Sequence, residues 1–165
     1  MNELVRAISE DGTLYVLALN STEMVKNMQK IHSTSNVCSA ALGRLITAAS
    51  MMGVLLKGEK DTLTLKISGN GPASPVVAVC NSKGIVKGYV GDNSVQLPLN
   101  KNGKLDVSGA VGKNGFLTVI KDLGLKEPYC AQIPIASASI VVTGLIFSSP
   151  FSTSDIVSSS AVGKS

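Results

Sequence analysis

The chain has 165 residues, of which 44% are apolar, 16% charged and only 4% aromatic, and 15 Lys and Arg against 11 Asp and Glu leave a net charge of +4. That length suits one domain, whose core buries roughly 68–70% of the unfolded surface without a disulfide or metal staple. The composition excludes a disordered chain, which needs low hydrophobicity and high net charge. Three Tyr, three Phe and no Trp make no stacking platform for bases, and scattered lysines such as Lys57, Lys66, Lys83, Lys101 and Lys121 make no nucleic-acid stripe.

Leu4–Ile8 and Thr13–Leu19 read as two strands around an Asp11-Gly12 turn, a strong hairpin signal. Asn20-Ser21-Thr22-Glu23 then supplies an N-cap and a first-turn acid for a helix through Ile31, with Met24, Val25, Met28 and Ile31 on one apolar face. After a polar break at Ser33–Asn36, a second helix is expected from about Val37 to Lys57, stopping at Gly58. Its sequence is apolar nearly all round. A membrane span would place Arg44 near the bilayer centre at a cost of about 2.5–3.5 kcal/mol. Small residues at Ala40, Ala41, Gly43, Ala48, Ala49 and Gly53 favour a helix gripped closely inside a soluble core instead.

From Asp61 the period changes to two: Leu63, Leu65 and Ile67 alternate with Thr62, Thr64 and Lys66 as in a half-buried strand. Val76–Cys80 and Ile85–Val90 follow as strands around a glycine-containing turn, and Leu105–Val107, Phe116–Lys121 and Tyr129–Ile135 complete the strand candidates. A hairpin, two helices and then an unbroken run of strands define an α+β fold, with mainly antiparallel strands packed on two N-terminal helices, one long and buried.

Residues 129–165 carry two charged side chains, Asp155 and Lys164, among ten serines, whereas residues 1–128 hold the other 24. This shift divides the chain into a core at 1–135 and an atypical Ser-rich tail at 136–165. The start, MNELVRAISEDGTLYV, has acids where a signal peptide has basic residues. Cys38, Cys80 and Cys130 form neither CxC nor CxxC, so no disulfide framework or zinc knuckle is expected, and a reduced, cytoplasmic setting follows.

Catalytic constellations are absent from the pattern. His32, the one histidine, stands at the end of the first helix, where a cation complements the dipole. No HExxH, paired-carboxylate or GxSxG spacing occurs. Gly69-Asn70-Gly71 precedes Pro72 with no following helix and reads as a turn. Gly112-Lys113 and Gly163-Lys164-Ser165 each lack the first glycine of a phosphate loop. Cys38 and Cys80 read as small buried hydrophobes, and Met24, Met28, Met51 and Met52 as core rather than as a pliable binding surface.

The opening VRAISEDGTLYVLALNSTEMV, the stretch SAALGRLITAASMMGVLLKGEKDTLTLKISGNGPASPVVAVCNSKGIVKGYVGD and the stretch LDVSGAVGKNGFLTVIKDLGLKEPYCAQIPI together resemble the N-terminal domain of the 33 kDa chaperonin family, over about residues 3–135. The resemblance implies an ATP-independent, cytoplasmic holdase that binds unfolded client proteins and forms a homodimer, with no membrane or nucleic-acid partner. In that family a C-terminal CxC and CxxC bind zinc and act as a redox switch. Both motifs are missing here, so no metal or cofactor is carried over. The Ser-rich tail departs from the charged, ordered segment that follows this point in the family. A truncated chain with the tail in an altered reading frame is the expectation, testable by sequencing the surrounding DNA.

A holdase needs apolar surface that can be uncovered. Val76–Cys80 and Phe116–Ile120 are apolar on both faces, so something must cover each face, and the apolar strand positions Leu63, Leu65, Ile67, Val77, Val79, Phe116 and Val119 are the client-binding candidates. Two other classes of function stay open on the residues alone. One is a small cytoplasmic enzyme with a site drawn from scattered polar residues such as Arg44, Asp92 and Lys113. The other is an interaction module whose tail docks a partner.

Overall fold

The computed structural model describes residues 3–135 together with the backbone of the strand Phe147–Ser148. The N-terminal hairpin forms as the sequence dictates, with β1 (Glu3–Ile8) antiparallel to β2 (Leu14–Asn20). Asp11 ties the turn by accepting from the Ser9 and Thr13 hydroxyls and from the Thr13 amide at 3.2 Å. Those hydroxyl contacts hold the Asp11 carboxyl below the ordinary carboxylate range.

Helix α1 (Thr22–His32) packs on α2 (Asn36–Gly53), whose N-cap Ser35 accepts from the Cys38 amide. Helix α2 is the centre of the molecule: Val37, Cys38, Ala41, Leu42, Leu45, Ile46, Ala48 and Ala49 are all buried, while Arg44 points to solvent. Among the described residues no helix is long and apolar enough to cross a membrane. The helix stops at Gly53 rather than running to Lys57. The Leu55 and Leu56 amides reach back three residues to the Met52 and Gly53 carbonyls at 3.1 and 2.9 Å, and this tighter turn ends the α-helical ladder.

The second sheet has the order β5-β4-β3-β6-β7, antiparallel throughout, built from β3 (Thr62–Gly69), β4 (Val76–Asn81), β5 (Val86–Val90), β6 (Gly115–Asp122) and β7 (Tyr129–Pro134). Register places Leu63, Leu65 and Ile67 level with Cys80, Ala78 and Val76 on one side and with Lys121, Val119 and Leu117 on the other. This is the face that α2 covers. Gly88 of β5 is part of the seam: a Cβ there would stand 2.6 Å from the Val77 carbonyl oxygen and 3.0 Å from Ile46 Cγ2, so only glycine lets the helix approach this closely.

One expected strand is a helix. Leu105–Val107 is a strand candidate in the sequence, yet Val107–Val111 forms α3, with Asp106 as N-cap accepting from the Gly109 amide at 2.8 Å. Val107, Ala110 and Val111 are buried against α2 and β3, so tertiary packing decides the conformation of this short run. The segment Gly69-Asn70-Gly71 is the turn expected of it, and the Gly71 amide donates to the Val111 carbonyl at 3.0 Å. A Cβ on Gly71 would collide with the backbone at Ala110 and Gly112. Asp106→Ala removes the cap of α3 and is expected to lower stability by about 1 kcal/mol, read by urea unfolding. A change below a few tenths would show that packing alone holds the helix.

The three-stranded sheet has the order β1-β2-β8, in which β8 (Phe147–Ser148) pairs antiparallel with β2, Tyr15 opposite Phe147 and Leu14 opposite Ser148. Apart from this strand, the tail at 136–165 lies outside the described residues.

Candidate functional site

The seven nominated residues fall into two groups. Leu63, Leu65, Ile67 and Val119 face α2 and are buried. Their alternation is that of a core face, and they reach another molecule only if the helix layer leaves. Val77, Val79 and Phe116 lie on the opposite, outer face of the sheet. Val77 is buried between Tyr89 and Lys66, its cross-strand neighbours. Val79 is 40% exposed and Phe116 49% exposed. Thr64, Lys66 and Ser68 of central β3 run between them, so the outer face is two apolar strips divided by a polar one.

A further exposed apolar surface, not among the seven nominated residues, lies on the N-terminal hairpin. Register pairs Val5 with Ala18 and Ala7 with Val16 on one face of the hairpin, with Leu14 beyond them. All five are exposed, Val5 at 54% and Val16 at 42%. The signal was in the sequence: LYVLALN is apolar at consecutive positions, and a strand apolar on both faces demands two covers. The inner face carries Leu4, Leu17 and Leu19, half-buried toward the helices. Only the inner side is covered by described residues.

Between the inner face of the hairpin, α1, the end of α2 and the β4–β5 turn lies a cleft of about 410 Å³. Leu4, Leu19, Met24, Met28, Ile31 and Ile85 give it apolar walls, and Lys83 is the charged residue in its lining. Two of the methionines expected in the core thus line an opening, although Met28 is buried and Met24 packs against the core cluster.

The polar candidates do not converge. Arg44 is exposed on α2, Asp92 lies in the loop after β5, and Lys113 lies in the turn before β6. Asp92 accepts from the Ser94 hydroxyl at 2.6 Å, which holds its carboxyl below the usual range. Among the described residues no hydrogen bond or ion pair joins these three. The His32 carbonyl accepts from Asn93 Nδ2 at 2.6 Å, so this helix end serves as an anchor for the loop.

The three cysteines are far apart in role. Cys38 Sγ donates to the Asp92 carbonyl at 3.3 Å and Cys80 Sγ to the Ala49 carbonyl at 2.9 Å, both buried, while Cys130 is exposed on β7. Among the described residues no three His, Cys, Asp or Glu side chains come together, so these residues do not fit a zinc centre. Burial pushes the Cys80 thiol up to about 11. The folded chain therefore holds this proton more tightly than the unfolded one, and its contribution to stability is present below pH 9 and lost as pH rises toward 11. Iodoacetamide at neutral pH is expected to label Cys130 in the native protein and all three thiols in denaturant, read by mass spectrometry. Native labelling of Cys80 would contradict the burial of that strand.

The geometry defines a small α+β domain in which sheet and helices share one core, with exposed apolar residues on the hairpin. Comparison with known proteins gives that class a family. The sequence profile described as Hsp33 protein matches residues 2–145, and the chain belongs to the Hsp33 family. It is 51% identical over 139 residues to the 33 kDa chaperonin of Clostridium tetani, covering 84% of this chain and 47% of that protein. To the 33 kDa chaperonin of Thermoanaerobacter sp. it is 49% identical over 137 residues, covering 83% and 47%. The crystal structure of the 33 kDa chaperonin of Thermotoga maritima superposes with a TM-score of 0.76 at 39% identity, over 80% of this chain and 45% of that one. The chain thus spans less than half the length of these relatives.

Proposed function

We propose that this chain is an ATP-independent holdase that captures unfolding client proteins on exposed apolar surface. The observation that carries the reading is the exposed apolar face of the hairpin, Val5, Ala7, Leu14, Val16 and Ala18, with Val79 and Phe116 as further exposed apolar points on the sheet. The names of the relatives support it, since each is called a chaperonin. Client capture by apolar contact needs no nucleophile, base or phosphate loop. The polar candidates Arg44, Asp92 and Lys113 lie apart, which favours this reading over an enzyme.

In this reading residues 1–135 are the client-holding core and residues 136–165 a separate extension. The protein acts in the cytoplasm as a homodimer, without a membrane or nucleic-acid partner. In this reading client capture by residues 1–135 draws on apolar contact and uses no metal ligand of its own. The test is light scattering of a thermally unfolding client such as citrate synthase with stoichiometric chain and no nucleotide. Suppressed scattering is expected; scattering equal to that of the client alone would overturn the reading.

A further inference from the structure

Three Asn-Gly pairs occur in the chain, Asn70-Gly71, Asn102-Gly103 and Asn114-Gly115. This dipeptide carries an intrinsic reaction. The glycine nitrogen, unshielded by a side chain, attacks the asparagine Cγ. The N–Cγ bond forms, the Cγ–Nδ2 bond breaks, and ammonia leaves with the proton of the glycine amide. Water then opens the five-membered succinimide at either carbonyl, giving aspartate or isoaspartate. The glycine must give up its amide hydrogen and the pair must leave its folded geometry, so the rate depends on how each pair is held.

Two of the pairs are clamped to each other. The Asn70 amide donates to the Asn114 carbonyl at 3.0 Å, and the Asn114 amide donates to Asn70 Oδ1 at 3.2 Å, so the Asn70 side chain is itself part of the clamp. The Gly71 amide donates to the Val111 carbonyl at 3.0 Å, and the Gly115 carbonyl accepts from the Ile135 amide at 2.8 Å. A Cβ on Gly115 would collide with the Ser68 carbonyl, as one on Gly71 would with the Ala110 carbonyl. Opening either pair therefore breaks contacts between distant elements, next to the buried Ala110 and Val111.

Asn102-Gly103 is held by its own turn. The Asn100 amide donates to the Lys104 carbonyl at 2.7 Å and the Gly103 amide to the Asn100 carbonyl at 2.9 Å, while Asn100 Oδ1 accepts from the Asn102 and Lys104 amides, both at 3.0 Å. Each of these bonds joins residues within 100–104. Gly103 has a φ of +68°, and a Cβ there would meet nothing within 4 Å. A turn closed on itself in this way opens locally while the core stays intact.

We infer that Asn102 is a modification site, the position at which the folded chain deamidates, and that the fold protects Asn70 and Asn114 from the same reaction. The product places a carboxylate between Lys101 and Lys104 and lowers the net charge of +4 by one. In the isoaspartate form the main chain also runs through the former side chain, which lengthens the turn by one carbon. The inference stands independently of the holdase reading.

The experiment is peptide mapping by mass spectrometry of the full chain aged at mildly alkaline pH, once in native buffer and once in denaturant. Deamidation is read as the mass gained by each peptide, and electron-based fragmentation separates aspartate from isoaspartate. In native buffer Asn102 is expected to react at least about tenfold faster than Asn70 or Asn114, because only its turn opens locally. In denaturant the three are expected to react within about threefold of one another, since the dipeptide is the same and the fold is gone. Gly103→Ala, whose Cβ has room but crowds the attacking nitrogen, is expected to slow the native reaction at Asn102 about tenfold. The rates of the unsubstituted chain carry the test, so it does not depend on that variant folding. Native reaction at Asn102 no faster than at Asn70 and Asn114 would overturn the inference. Selectivity for Asn102 that persists in denaturant would overturn it as well, since the flanking residues rather than the fold would then set it.

Discussion

Leu63→Ala is expected to destabilise the protein by about 3 kcal/mol, within the roughly 2–5 kcal/mol range of buried leucine truncations. Leu63 is fully buried at 0% exposure on β3, the central strand, level with Cys80 on β4 and covered by α2. Removing three carbons there leaves a cavity whose walls belong to two packed elements, so collapse to fill it is limited. The midpoint of urea unfolding should fall with an unchanged slope, and the melting temperature by about 6–12 °C. Val79→Ala, on the outer face of the same sheet, is the control and should change stability by less than about 1 kcal/mol. Equal effects at the two sites would contradict the assignment of the inner face. The same pair separates structure from function, because Leu63 was nominated for client contact and the fold gives it to the core.

The second large effect is functional. Val5→Asp combined with Val16→Asp places two charges on the exposed face of the hairpin, at positions 54% and 42% exposed. Both side chains point away from the helices, so the folded state loses little, and the melting temperature should stay within about 3 °C of the parent. A client docked on that face, in contrast, would have to desolvate two carboxylates, a cost of several kcal/mol if they were buried unpaired. Suppression of client aggregation is expected to need at least fivefold more of the doubly substituted chain. Unchanged suppression would move client binding away from the hairpin, to Val79 and Phe116 or to the buried face.

Much of the architecture is written in local patterns. The Asp11-Gly12 turn, the change of period at Asp61 and the alternation of Leu63, Leu65 and Ile67 each have one physical reading, and each matches the fold. The small residues of α2 announce a helix held at close range, and Gly43 does face Val25 of α1, where a Cβ would come within 3.0 Å. What escaped local reading was decided by distant contacts. Asp106 begins a helix because Val107, Ala110 and Val111 find α2 and β3 to pack on, a partnership invisible to a window of seven residues. The nominated site shows the same limit. Alternation tells which residues share a face, but only the position of α2 tells that the face of Leu65 is inside and that of Phe116 outside. The hairpin surface was legible in LYVLALN, since consecutive apolar residues cannot all turn to one side of a strand.

The central claim is that apolar surface of the folded chain holds clients directly, with no redox event needed to expose it. The measurement that bears on it most directly is fluorescence anisotropy of a labelled, chemically unfolded client titrated with the full chain in three conditions: reducing buffer, hydrogen peroxide, and a strong zinc chelator. The account predicts binding in reducing buffer and an affinity unchanged within about twofold in the other two, because the hairpin face carries no thiol and the cysteines present do not form a metal cluster. Binding that appears only after peroxide or chelator treatment would contradict it.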